Sequence, residues 1–165
     1  MFDFGDDMTA LLTEGCLKPH PFLQDCSCAF LNHLEEFARE VDFKEGDTIL
    51  REGDYADRFY LICDGSVCVE SGSNGAPGVC IQMLGSGDVL GWSWLYAPYE
   101  WHFTARAVTA CRTVELNAAS LLIRAEEDPT FGYELMKRLS KHLIHRLQAT
   151  RKRLVCEVKL REGSD

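Results

Sequence analysis

Four two-residue signals, Gly46-Asp47, Gly53-Asp54, Asp64-Gly65 and Gly87-Asp88, recur between short β-rich runs and restrict this chain more than any other feature. They read as tight turns between antiparallel strands. The runs themselves carry Val41, Phe43, Ile49, Phe59, Leu61, Val67 and Val69, and further strands are expected at 79–84, 88–90, 103–109 and 112–116. The stretch Ser71-Gly72-Ser73-Asn74-Gly75-Ala76-Pro77-Gly78 lies between two runs and is too short to separate two cores, so it is a hairpin loop. Many short strands at this spacing predict a mainly β chain, a sandwich or a jelly roll.

Helical periodicity flanks the strands. Residues 1–28 read as a polar lead-in with a short helix, interrupted by Lys18-Pro19-His20-Pro21. Between Ala29 and Arg39 the apolar residues Phe30, Leu31, Leu34, Phe37 and Ala38 recur at helical spacing, which predicts one amphipathic helix. The helical period returns at 118–127 and again after Asp128-Pro129, an N-cap followed by proline at the first helical position. Nothing breaks the pattern from Thr130 to about Leu160, a helix of roughly 30 residues and roughly 45 Å. Leu143, Leu147, Thr150 and Leu154 alternate gaps of four and three, the spacing of a coiled-coil seam, so this face is expected to meet a second chain. The chain therefore divides into a lead-in at 1–28, a strand-rich unit with flanking helices at 29–127, and a long helix with its tail at 128–165.

A chain of 165 residues is one domain's worth, large enough to fold without disulfides or a structural metal. It has no apolar run of roughly 18 residues, so no membrane span is expected, and its acidic start lacks the features of a signal peptide. A cytoplasmic protein is the expectation. Cys63, Cys68, Cys80 and Cys111 lie in apolar alternating stretches, where a reduced thiol packs as a small hydrophobe. Cys16, Cys26 and Cys28 lack the two-residue gaps of a zinc or iron–sulfur site, and His102, His142 and His145 form no metal-type pair, so no metal or haem is expected. No nucleophile–base pair or nucleotide-hydrolysing loop is evident, which predicts no enzymatic activity.

The 17 basic residues stand against 26 acidic ones, a formal charge of −9 that argues against general nucleic-acid affinity. Seven of the basic residues, Lys137, Arg138, Lys141, Arg146, Arg151, Lys152 and Arg153, nevertheless crowd the long helix without one Asp or Glu from Leu135 to Cys156. The asymmetry suits a solvated coiled-coil flank opposite an acidic body, or a basic face for an acidic partner, RNA or an anionic membrane.

Gly46-Asp47, Arg51-Glu52-Gly53-Asp54, Phe59-Tyr60-Leu61-Ile62, Gly65, Gly87-Asp88 and Gly91, in this order and spacing, resemble the cyclic-nucleotide-binding domain, with regulators of the catabolite activator protein superfamily as the nearest likeness. The resemblance spans about Phe22 to Val155 and implies a β-jelly roll with flanking helices followed by a long dimerisation helix. In DNA-binding members a helix-turn-helix domain follows that helix. Only about ten residues follow Val155 here, so no sequence-specific DNA binding is expected.

Members of this family hold a cyclic phosphate on an Arg and on backbone N–H groups, and the ribose hydroxyl on a Glu. The resemblance maps this pocket onto Gly91, Trp92, Ser93, Trp94, Thr104, Arg106 and Ala107. Trp92 stands where the family has its Glu. Matching Val108-Thr109-Ala110 to the family's Val-x-Ala puts Thr104 at the phosphate Arg, with Arg106 two residues on and on the same strand face. Trp92, Trp94 and Trp101 either form an aromatic box for a planar base or pack the pocket shut.

Two functions follow from this reading. One is a non-enzymatic sensor with an atypical pocket for a small anion, a cyclic nucleotide or another metabolite, signalling to another protein as a homodimer. The other is a ligand-independent interaction or scaffold subunit with a closed pocket.

Overall fold

The computed structural model describes residues 20–72 and 78–162. Cys16, most of the 1–28 lead-in and the centre of the 71–78 loop therefore lie outside the described residues. Eight strands form two antiparallel four-stranded sheets. The strands are β1 (Ala38–Phe43), β2 (Thr48–Leu50), β3 (Arg58–Asp64), β4 (Val67–Ser71), β5 (Val79–Leu84), β6 (Val89–Leu90), β7 (Thr104–Ala107) and β8 (Cys111–Asn117). One sheet runs β1-β8-β3-β6 and the other β2-β7-β4-β5. This is the mainly β jelly roll expected from the sequence, with helices α1 (Cys28–Glu35), α2 (Ala118–Glu127) and α3 (Pro129–Glu162) beside it.

Two of the turns close by a shared local chemistry. At Lys44–Asp47 the Asp47 amide donates to the Lys44 carbonyl at 3.0 Å while the Lys44 amide donates to Asp47 Oδ2 at 2.8 Å. Gly85–Asp88 repeats the reciprocal pair at 3.1 and 2.8 Å. An Asp at the fourth position thus satisfies the amide that the reversal leaves unpaired.

β3 is buried from Phe59 to Ile62, so both of its faces are covered. Phe59 stacks on Trp94 at 5.3 Å and meets Phe22 edge-on at 6.2 Å. A helical layer continues the core through Phe30, Leu34, Leu121, Phe131 and Leu135, with Phe30 stacked on Phe131 at 5.1 Å. Full burial of each such side chain contributes about 2 kcal/mol. Phe22 and Leu23, within the stretch read as a polar lead-in, belong to this core as part of a 3-10 turn at Pro21–Leu23. Arg138 of α3 fixes that turn, donating to the carbonyls of Phe22 and Gln24 at 2.7 and 2.9 Å.

Two expectations are corrected. The helix read from Ala29 to Arg39 runs instead from Cys28 to Glu35, capped by Ser27 Oγ, which accepts from the Phe30 amide. Ala38 and Arg39 are strand residues, because the β1–β8 ladder from Ala38↔Leu116 to Phe43↔Cys111 captures them. Cys68 and Cys80, read as reduced apolar thiols, form a disulfide between β4 and β5, with Cα atoms 5.8 Å apart. The irregular register between Val69 and Glu70 brings Cys80 within reach of Cys68 on the neighbouring strand.

The long helix starts as expected: Asp128 Oδ1 accepts from the amides of Thr130 and Phe131, and Pro129 takes the first helical position. It then runs 34 residues, about 51 Å. Among the described residues no helix is long and apolar enough to cross a membrane.

Candidate ligand pocket

A cavity of about 270 Å³ opens between the β2-β7-β4-β5 sheet, the segment after β6 and the long helix. Leu50, Val69, Leu90 and Ala105 supply its apolar wall, Trp92, Trp101 and Phe103 its aromatic wall, and Gly91 its backbone. Ser93, His102 and Arg146 are the remaining lining residues.

Strand parity decides what reaches the cavity. In β7, Ala105 and Ala107 are buried, whereas Thr104 and Arg106 lie on the opposite, half-buried face. Thr104 Oγ1 accepts from the Glu52 amide at 3.1 Å. Arg106 donates through Nε to Glu70 Oε1 at 3.3 Å and through Nη1 to the Gly46 carbonyl and Thr48 Oγ1 at 3.1 and 3.2 Å. These contacts clip β7 to β2 and β4 outside the cavity. Ala107 also stays out of the lining. Trp94 is fully buried against Phe59, with its indole N–H donated to the Gly91 carbonyl at 3.2 Å. Of the residues mapped by resemblance, the cavity brings together Gly91, Trp92 and Ser93, but not Trp94, Thr104, Arg106 or Ala107.

The residue that sequence reasoning missed is Arg146. It extends the body-facing side of α3 beyond Leu135, Leu139 and His142, at steps of four, three and four residues. A charged residue on a buried helical face was the signal that marks it. Its guanidinium lies 4.1 Å from the centroid of the Trp92 ring and donates to the Val89 carbonyl at 3.1 Å and to Gln82 Oε1 at 2.5 Å. Both acceptors are neutral, and its buried Nε has no hydrogen-bond partner among the described residues. Burial pushes this guanidinium down to about 10, with Asp88 pulling the other way. Trp92 thus removes the carboxylate expected beside Gly91 and offers an aromatic face to a cation from the helix.

Ser93 Oγ and His102 Nδ1 approach to 3.0 Å at the mouth of the cavity. No carboxylate among the described residues is hydrogen-bonded to the other His102 nitrogen, and the ring is exposed, so the pair lacks the group that would orient a base. Among the described residues no cluster of His, Cys, Asp or Glu is placed to hold a metal ion.

Residues 40–128 match the family described as the cyclic nucleotide-binding domain, more than half of the chain. The chain belongs to that family. A curated relative, the CRP-like cAMP-activated global transcriptional regulator of Mycobacterium tuberculosis, is 25% identical over 110 residues. That match covers 67% of this chain and 49% of the relative, so the chain spans about half the length of the regulator it matches. A cyclic nucleotide-binding domain from Methylobacillus flagellatus superposes with a TM-score of 0.72 at 20% identity, over 81% of this chain and 75% of that one. The Thermus thermophilus catabolite activator protein superposes with a TM-score of 0.64 at 20% identity, over 84% and 63%. A cyclic-nucleotide-binding fold of this kind is that of a regulatory or sensor module.

Proposed function

We propose that this chain is a non-enzymatic sensor that binds a small ligand in the cavity and signals by moving its long helix against another protein. The observation that carries this reading is Arg146: one side chain of α3 forms part of the cavity wall and stacks on Trp92 of the β-roll. A ligand that alters that stack changes how the helix sits. Leu143, Leu147, Thr150 and Leu154 extend the same helix as the seam of a homodimer, so a shift at Arg146 reaches the partner copy. The alternative of a closed scaffold subunit draws support from Trp94 and Trp101, both buried, yet the cavity between Trp92, Trp101 and Phe103 stays open.

The pocket is atypical in what it offers a cyclic nucleotide. No carboxylate lines it to accept from a ribose hydroxyl, and Arg106 is engaged by Glu70 outside it. Each missing contact to a charged or buried polar group costs about 1.5–3 kcal/mol, together at least about a hundredfold in affinity. Titration of the full chain with cyclic AMP and cyclic GMP, read by Trp92 and Trp101 fluorescence and by calorimetry, should give no submicromolar binding. Submicromolar binding of either nucleotide would overturn the atypical pocket and restore an ordinary cyclic-nucleotide receptor.

A further inference from the structure

We infer that the ligand of this cavity is a small aromatic carboxylate whose anion is held by Arg146 of the long helix. The inference rests on the sensor reading above and names its ligand class. Seven of the lining residues are apolar or aromatic: Leu50, Val69, Leu90, Trp92, Trp101, Phe103 and Ala105. Against them stand the guanidinium of Arg146 and the Ser93–His102 pair at the mouth.

A buried cation ordinarily sits beside a carboxylate, because leaving it unpaired in an apolar setting is costly. Arg146 has no ion pair among the described residues. Its two hydrogen bonds, one from each terminal nitrogen, go to a backbone carbonyl and a side-chain amide, which leaves the second N–H of Nη1 and of Nη2 without a partner among the described residues; Nε itself is buried out of reach of a ligand. The charge is therefore still available at the cavity wall. A planar fork with spare N–H donors matches a carboxylate, and a single cation matches a single negative charge. Trp92, Trp101 and Phe103 then supply faces and edges for an aromatic ring.

Size and polarity narrow the class further. About 270 Å³ falls below the roughly 300–1,000 Å³ of sites for drug-sized ligands, so the occupant is small. A sugar would strand its hydroxyls against Leu50, Val69 and Leu90, whereas a ring bearing one carboxylate leaves nothing polar unpaired.

The test is calorimetry on the full chain with phenylacetate and 1-naphthylacetate, each beside its uncharged amide. At least one acid should bind about tenfold or more tighter than its amide, the gain of one charge-assisted contact. Arg146→Gln should bring that ratio close to one, and Arg146→Lys should keep a preference for the acid. Lys141→Gln removes an exposed charge five residues away and should leave the ratio as it was. Circular dichroism establishes that each variant is folded, and the acid-to-amide ratio of the natural chain stands without any variant.

Equal binding of acid and amide would overturn this inference while leaving a ligand-binding cavity in place. So would a preference that survives Arg146→Gln. No binding by any of the four compounds would overturn it as well. Hydrogen exchange of the α3 amides around Arg146 separates the two readings: an acid that binds with the stated preference but leaves that exchange unchanged refutes the sensor and spares the assignment of the ligand.

Discussion

At Gly91 the backbone holds φ at +85°, and a Cβ built there would meet the Trp101 ring at 2.9 and 3.0 Å and Leu50 Cδ1 at 3.4 Å. Gly46 holds nearly the same angle, +88°, with nothing within 4 Å of a Cβ. The pair separates two costs that a single substitution would confound. Gly46→Ala incurs only the conformational penalty, about 1 kcal/mol. Gly91→Ala adds the displacement of a buried indole, about 1–3 kcal/mol more. Urea denaturation should therefore rank Gly91→Ala as the more destabilising change by at least about 1 kcal/mol. Trp101 lines the cavity, so the same substitution should also weaken binding there, which Gly46→Ala should not. Equal midpoints for the two variants would mean that Trp101 is not packed against Gly91 as described.

Between elements, the contact most sensitive to conditions is the one that packs the Pro21–Leu23 turn against α3. His20 caps that turn, its Nδ1 accepting from the Phe22 amide at 3.2 Å. Burial first, and His142 on the long helix second, lower its pKa from the ordinary 6.5 to about 4, against the pull of Asp88 and of the Asp88 and Ile62 backbone. The unfolded chain takes a proton near pH 6.5 that the folded chain refuses until about pH 4. Stability is thus complete above pH 6.5 and falls as the pH drops through this window, by about 2 kcal/mol between pH 7 and 5 from His20 alone. His142, also lowered by burial, acts in the same direction. His20→Asn keeps an acceptor for Phe22 and loses the titration, so denaturation midpoints at pH 7 and 5 should lie closer together than in the natural chain; an unchanged gap would exclude His20 as the cause. Such junctions also mark where the sequence stopped being legible. The Gly-Asp reversals close within four residues, and the turns read from them match the strand boundaries. Ala38 and Arg39 took their conformation from β8, whose Leu116 and Glu115 lie far along the chain, and a helical period could not reveal that. Within the site, Gly91, Trp92 and Ser93 were legible from the turn that carries them. Arg106 was assigned by matching the short pattern Val108-Thr109-Ala110 just after β7, a strand on which a one-residue change of parity exchanges the cavity face for the outer one. Arg146 lay on a readable helical face, but its partner Trp92 comes from another part of the fold.

For the molecule as a whole, the decisive question is what covers the outer side of α3. Leu147 and Leu154 are 50% and 60% exposed, and Ile144, Val155 and Val158 are exposed beside them. At about 100° per residue these five fall within an arc of about 100°, well away from the arc of Leu135, Leu139 and His142 that faces the body. Leu143 and Thr150 border the same strip, so the four residues of the proposed seam and the exposed aliphatic side chains form one continuous surface. Arg151 lies within it and Lys152 beside it, whereas Arg153 falls on the side of Leu135 and Arg146. Replacing Leu147 and Leu154 together with Glu would bury four carboxylates in a homodimeric seam, a desolvation cost that one neighbouring Arg151 per chain offsets only in part. Sedimentation should then find monomers at concentrations where the natural chain is dimeric. Arg146 projects from a different side of the helix, so the double variant should keep its fold and its Trp92 stack; a dimer of unchanged mass would show that the seam lies elsewhere.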